Sequence, residues 1–314
     1  LKKYKNFIKL KVNRLLGNDW KGKLNKIEKK VIKSSKKIRE NQLRVLMGPS
    51  FAIWGPSYAL DKSLSLALRI RGIDVIPIYC DSIQHEECNY HDGGWSGKES
   101  FSKKCSNCKK TSKKLWESNP NKPLPLSKYL SNTEVVEITT LVSGLGFNEA
   151  LAFTKAGIKY GAMAKDILVN NYLVASPTLI KNHEHLIKVH LHNLLMVSIA
   201  YEHILDEQKP DRAISNDSYY GMWAILEQHC KARQIPFYSH WPVTKNRAAF
   251  AYNDAAMNLD FTKSWTEFSK IDLTDEDDER INKWLSSTTK YHLTKEWSKI
   301  KILQKISLKA FRVI

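Results

Sequence analysis

Short apolar runs alternate with helix-spaced stretches along most of this chain. Leu43, Val45, Leu46 and Met47 make a run too short for a helix and too apolar for a loop, which predicts a buried strand at 43–47. Residues 48–56 are turn-rich and Ser57 suits an N-cap. Residues 58–71 carry helical spacing, and Gly72 stands where such a helix stops. A second strand is predicted at 74–79. This strand–loop–helix–strand unit is the building block of a parallel sheet covered by helices. Further along, the β-branched run 134–141 predicts a strand, 148–160 and 178–206 predict helices, 212–215 a strand, 222–233 a helix and 235–239 a last strand. The fold class expected is α/β: a Rossmann-like, mostly parallel sheet flanked by helices over 43–260. A helical N-terminal arm is expected over 1–42 and a helical, charged segment over 261–314. No internal repeat is visible.

Charge adds a second feature. The chain carries +18, and residues 1–44 hold sixteen Lys or Arg against Asp19, Glu28 and Glu40, which leaves about +5 for the rest. Leu24, Ile27, Val31 and Ile38 punctuate the arm at helical spacing. A basic amphipathic helix is drawn to anionic lipid by about 1 kcal/mol per basic residue near the surface. The alternatives are a solvated helix docked on its own domain or a partner, and contact with nucleic acid. Nucleic acid is disfavoured because no aromatics interleave with the basic residues as a stacking platform. No run of about 18 apolar residues marks a transmembrane helix. No apolar core of about 7–15 residues follows the basic start as in a signal peptide. The localisation expected is cytoplasmic, peripheral at the cytoplasmic face of the inner membrane.

Chemistry in an open parallel sheet gathers where the strands end. Ser50, Asp81, Ser143, Asn216, Asp217 and His240 are the polar residues at predicted strand ends. A histidine after the last strand is a candidate general base, since its ordinary pKa lies near neutrality; the plainer reading is a loop hydrogen bond. Residues 48–56 form neither a P-loop nor a G-x-G-x-x-G turn. His183, His185, His190 and His192 contain no pair four apart, so they read as structural.

Four of the five cysteines fall close together as C-x7-C-x16-C-x2-C: Cys80, Cys88, Cys105 and Cys108. The Cys105-x2-Cys108 knuckle lets two thiolates reach one tetrahedral zinc, with Cys80 and Cys88 completing the set. A structural zinc would hold together the polar, glycine-rich insertion at 80–116. Disulfides, an iron–sulfur cluster and unlinked thiols are the alternatives. Cys230 sits in a helical pattern as a buried spectator.

Gly48-Pro49-Ser50 follows the first strand, a cysteine-bearing loop follows Ile76-Pro77-Ile78-Tyr79-Cys80, and Cys105-x2-Cys108 lies beyond it. Pro210-Asp211 leads to Gly221, and Ile235-Pro236-Phe237 follows. Together these segments resemble the N-terminal half of bacterial polysaccharide-type glycosyltransferases with the GT-B fold, the capsule and surface-glycan enzymes among them. The resemblance covers roughly 43–260. It implies two Rossmann-like domains across a cleft, with the glycan acceptor on the first and the nucleotide-sugar donor mainly on the second. About 54 residues follow Asp260, too few for a second such domain, so the expectation is a chain that is mainly the acceptor side. The implied reaction is glycosyl transfer with no catalytic metal. A base deprotonates an acceptor hydroxyl while helix N-termini and positive groups stabilise the leaving phosphates. On that reading His240 and Asp217 are catalytic, and Gly48, Ser50, Ser143, Asn216 and Tyr220 bind substrate. The rival reading is a non-catalytic, metal-stabilised α/β module that docks on a membrane or in an assembly.

Overall fold

The computed structural model describes residues 20–34, 42–50, 52–88, 100–244, 247–257, 266–267 and 269–293. The chain divides into two compact units, Leu1–Leu259 and Asp260–Ile314. The first is built on six strands: β1 (Arg44–Met47), β2 (Asp74–Tyr79), β3 (Leu124–Pro125), β4 (Arg212–Asn216), β5 (Phe237–Thr244) and β6 (Arg247–Tyr252). Their order is β3-β2-β1-β4-β5-β6. The pairs from β3 to β5 are parallel, and β6 turns back antiparallel on β5 as an edge hairpin. The fold is therefore α/β with a mostly parallel, helix-flanked sheet. From β1 the chain builds outward to β3, then crosses over and lays β4 on the other side of β1. That reversal leaves a topological switch point between the carboxyl ends of β1 and β4.

Both faces of the sheet are covered, which is why its central strands read as nearly unbroken apolar runs. Met47, Val75, Tyr79 and Ile214 face α2 (Gly55–Ile70) and α3 (Phe101–Trp116), where Leu64, Leu68, Leu115 and Trp116 close a small core. Their neighbours Leu46, Ile76, Ile78, Ala213 and Phe237 join the larger core on the other side. That core is filled from α4 (Asn132–Gly144), α5 (Phe147–Ala152), α6 (Tyr160–Tyr172), α7 (His183–Gln208) and α8 (Gly221–Ala232).

Two expectations are corrected. Residues 134–141 are not a strand but the body of α4. Ser131 accepts from the Glu134 backbone at 3.2 Å, and the Glu134 carboxylate accepts from the Ser131 backbone at 2.8 Å. This capping box starts a helix whose buried side is Ile138 and Val142, and it outweighs the β-branched composition. The helix expected at 148–160 ends at Ala152. The chain then turns through Ala156 and Gly157 at positive φ before α6 begins. The cysteine insertion contains a helix of its own, α3, capped by Ser100. The hairpin partner β6 was not anticipated at all.

The arm forms α1 (Trp20–Ser34) where it is described; the expectations for 1–19 and 35–41 lie outside the described residues. α1 docks on α2 through buried Val31 and through its single acid, Glu28, which pairs with the buried ammonium of Lys62. Burial lowers the Lys62 pKa and its bond to Glu28 opposes that shift. Lys62 also donates to the Leu115 carbonyl at 2.7 Å. The docked-helix alternative thus describes this stretch.

In the second unit, α9 (Asp275–Leu293) opens with four acids in its first turn, and Thr274 accepts from the Asp277 backbone at 3.2 Å. Acids suit that end because the helix dipole is positive there. The helical expectation beyond residue 293 lies outside the described residues.

His190, in the middle of α7, is fully buried, and neither ring nitrogen has a hydrogen-bond partner among the described residues. Burial alone pulls its pKa from 6.5 down to about 3. The unfolded chain therefore takes up a proton that the folded one refuses. Stability from this group is complete above pH 6.5 and is lost as pH falls toward 3, at up to about 1.4 kcal/mol per pH unit. Urea denaturation between pH 7 and 4 should show that slope, and His190→Leu should flatten it. Some slope should survive from His229, whose pKa burial lowers to about 4.

Candidate functional site

The carboxyl edge of the sheet is organised around the turn after β1. Gly48 is needed there for packing: a Cβ on it would lie 2.3 Å from the Ser215 hydroxyl and 2.9 Å from Leu226 Cδ2. With no side chain, β1 stays close to β4, and the Gly48 amide donates to the Ile214 carbonyl at 2.8 Å. The carbonyl of Pro49 then accepts from Asn216 Nδ2 at 3.2 Å and from Trp223 Nε1 at 2.7 Å.

On the α2 side of this carbonyl lies a buried polar cluster. Ser57 donates to Asn216 Oδ1 at 2.7 Å, and Asn216 Nδ2 reaches Asp61 Oδ2 at 3.4 Å. Asp61 Oδ1 stands 2.8 Å from His240 Nε2. That separation is an ion-pair distance without hydrogen-bond alignment, since neither His240 ring nitrogen has an aligned partner among the described residues. All four side chains are buried. Ser57 and Asp61 come from α2, Asn216 from β4 and His240 from β5, where it pairs in register with Asn216.

Pro49 also lines a pocket of about 570 Å³, counting space open to solvent. Pro49 and Ser50 from the β1 turn, Met222 and Trp223 from the start of α8, and Gln84 from the loop after β2 form one wall. Cys80, Cys88, Cys105 and Cys108 line the remainder with Phe101, Lys104 and Lys109. The Ser50 hydroxyl is buried there with no hydrogen-bond partner among the described residues. Burial pushes the Cys80 thiol up to about 11 and the Cys108 thiol to about 12, and each feels Cys105 nearby. Among the described residues no cysteine is joined in a disulfide.

Aromatic rings crown this edge. Trp54, before α2, sits 5.1 Å from Trp241 on β5, ring centre to ring centre. In the loop after β4, Tyr219 stands edge-on to Tyr220, and Tyr220 edge-on to Trp223. Tyr219 is 61% exposed and Trp54 36%.

The placements revise several expectations. Ser50 lines the pocket and Tyr220 stands beside its Trp223 wall. Asn216 and His240 belong to the buried cluster. Asp217 is buried too, and its carboxylate accepts from the Met257 amide at 2.9 Å, so it ties down the loop after β4. Burial raises the Asp217 pKa, and the backbone amides of Met257, Tyr219 and Ala256 oppose the shift. Neither His240 nor Asp217 is among the residues that line the pocket; both are buried and make their polar contacts inside the fold. Gly48 serves packing. Ser143 is not at a strand end: it caps the last turn of α4, donating to the Thr140 carbonyl at 2.9 Å on the surface. The residues missed were Ser57, Asp61, Gln84 and the tryptophan pair. Ser57 and Asp61 had a visible signal, since polar residues four apart on a helix beside a strand-end turn share one face.

No protein-family model and no curated protein matches the chain. Among solved structures it is similar to the structure of a CDPS from Fluoribacter dumoffii. The identity is 13% and the TM-score 0.39, over 68% of this chain and 96% of that one. A likeness of that size carries no argument about chemistry.

The cluster and the pocket share Pro49, so losing the Asp61 carboxylate should be felt in both. Asp61→Ala leaves His240 buried without its carboxylate, which should cost about 1–3 kcal/mol in urea denaturation. Amide exchange at Gly48 should rise as well. A variant with unchanged stability and exchange would remove the positioning role.

Proposed function

We propose that the first unit holds the glycan acceptor in a glycosyl transfer of surface-polysaccharide synthesis. The observation that carries this reading is the group of rings at the carboxyl edge: Trp54 with Trp241, and Tyr219 with Tyr220, which stands against Trp223, a residue of the pocket that also holds the buried Ser50 hydroxyl. Exposed rings offer flat apolar faces to the C–H face of a sugar, and Ser50 offers a hydroxyl that gains a partner when a ligand enters. On this reading the described pocket residues, which include no carboxylate or imidazole, bind and orient the acceptor, and the general base is a group outside them. In the reaction, an acceptor oxygen would bond to the anomeric carbon, the nucleotide would leave with the bonding pair, and the hydroxyl proton would pass to the base.

An array of bacterial surface-glycan fragments, followed by calorimetry on the best binder, tests this. Trp54→Ala and Tyr219→Ala should each lower affinity by roughly three- to tenfold, with the thermal midpoint unchanged. Wild-type protein that binds no glycan, or binding indifferent to both variants, would overturn the reading. Binding that never supports release of nucleotide from a nucleotide sugar would leave the rival binding module standing.

We further propose that α1 meets an anionic membrane surface. Among the described residues no helix is long and apolar enough to cross a membrane. α1 leaves Lys23, Lys26, Lys29 and Lys33 exposed together with Ile27 and Ile32. Lys26→Glu with Lys29→Glu should weaken sedimentation with phosphatidylserine vesicles, by about 1 kcal/mol per lysine lost. Binding of the wild type should also fade as salt rises. Equal sedimentation with neutral vesicles, or with the variant, would rule out this surface.

A further inference from the structure

The pocket wall that the glycan reading leaves unused is made of sulfur. We propose that Cys80, Cys88, Cys105 and Cys108 bind one zinc ion as a four-thiolate site, which ties the loop after β2 to the first turns of α3. The fold brings these four residues to one pocket from three separate places. Cys80 directly follows β2. Cys105 and Cys108 are one turn apart on α3 and so share a face. Cys88 arrives on a loop held from below. Asn193, buried on α7, accepts from the His85 amide at 2.7 Å and donates to the His85 carbonyl at 3.2 Å. Asn171 on α6 donates to the Cys88 carbonyl at 3.1 Å. Two buried amide side chains thus anchor a loop that crosses the sheet edge to deliver one cysteine.

The donor set is specific in kind. Soft thiolates select zinc over calcium or magnesium, which need oxygen ligands, and no carboxylate lines the described pocket. Four thiolates around a divalent ion carry a net double negative charge, and Lys104 and Lys109 on the same walls would offset it. Among the described residues no three cysteine, histidine or carboxylate groups already stand at ligand spacing. Protonated thiols have no reason to draw together; each would exchange its S–H bond for an S–Zn bond, its proton leaving to solvent. The inference is independent of the glycan reading.

The test uses the whole chain purified in reducing, chelator-free buffer. Elemental analysis should find about one zinc per chain. Replacing zinc with cobalt should produce the intense near-ultraviolet band of thiolate-to-cobalt charge transfer, a readout that needs no variant. Cys88→Ser and Cys105→Ser should each lower zinc affinity at least tenfold. Cys230→Ser, buried on α8 away from the pocket, should leave the zinc in place. The proposal falls if the wild type neither retains zinc nor shows the cobalt band. It falls equally if Cys88→Ser binds zinc as tightly as the wild type, if mass spectrometry finds the four sulfurs in disulfides, or if the metal found is iron with acid-labile sulfide.

Discussion

One carbonyl oxygen couples the two sides of this sheet. Pro49 presents its C=O to Asn216 from β4 and to Trp223 from α8, and it can do so only because Gly48 lets β1 approach β4 without a side chain between them. A buried carbonyl without donors would cost about 1–3 kcal/mol. Two donors make the turn one of the better-determined points of the fold. The polar cluster of Ser57, Asp61, Asn216 and His240 depends on that turn, and so does the pocket.

This arrangement separates support from contact. Buried charge and imidazole are held inside the switch point, where they fix the loops after β1 and β4. The groups able to meet a ligand are instead a serine hydroxyl, indole and phenol rings, and thiols. The same division governs the arm: α1 leaves its lysines exposed, yet what docks it is its single acid, because Glu28 faces a lysine that burial has deprived of water.

Local signals in the chain competed, and the competition was not decided by composition. The run Val135, Val136, Ile138, Thr139 and Thr140 has strand composition, but the cap formed by Ser131 and Glu134 satisfies the first free amides of a helix. Thr139 then returns its hydroxyl to the Val135 carbonyl at 2.7 Å. Ser143 looked like a strand-end residue only because that run was read as a strand. His240 looked like an accessible base because the strand was expected to end at 239. β5 instead continues to Thr244 and pairs with β6, which leaves His240 inside the sheet.

The amino-acid pattern by itself determined the class of fold, the first β1–α2–β2 unit and the presence of four cysteines in one region. These follow from local spacing: apolar runs of strand length, a capped helix and a C-x2-C knuckle are properties of neighbouring residues. Tertiary structure alone decided that Asp61 meets His240 and that Gly48 must be glycine. Each is a contact between residues far apart in the chain, set by strand order and by which face a side chain takes. One crossover or one misjudged strand end reverses both, and no local pattern records them.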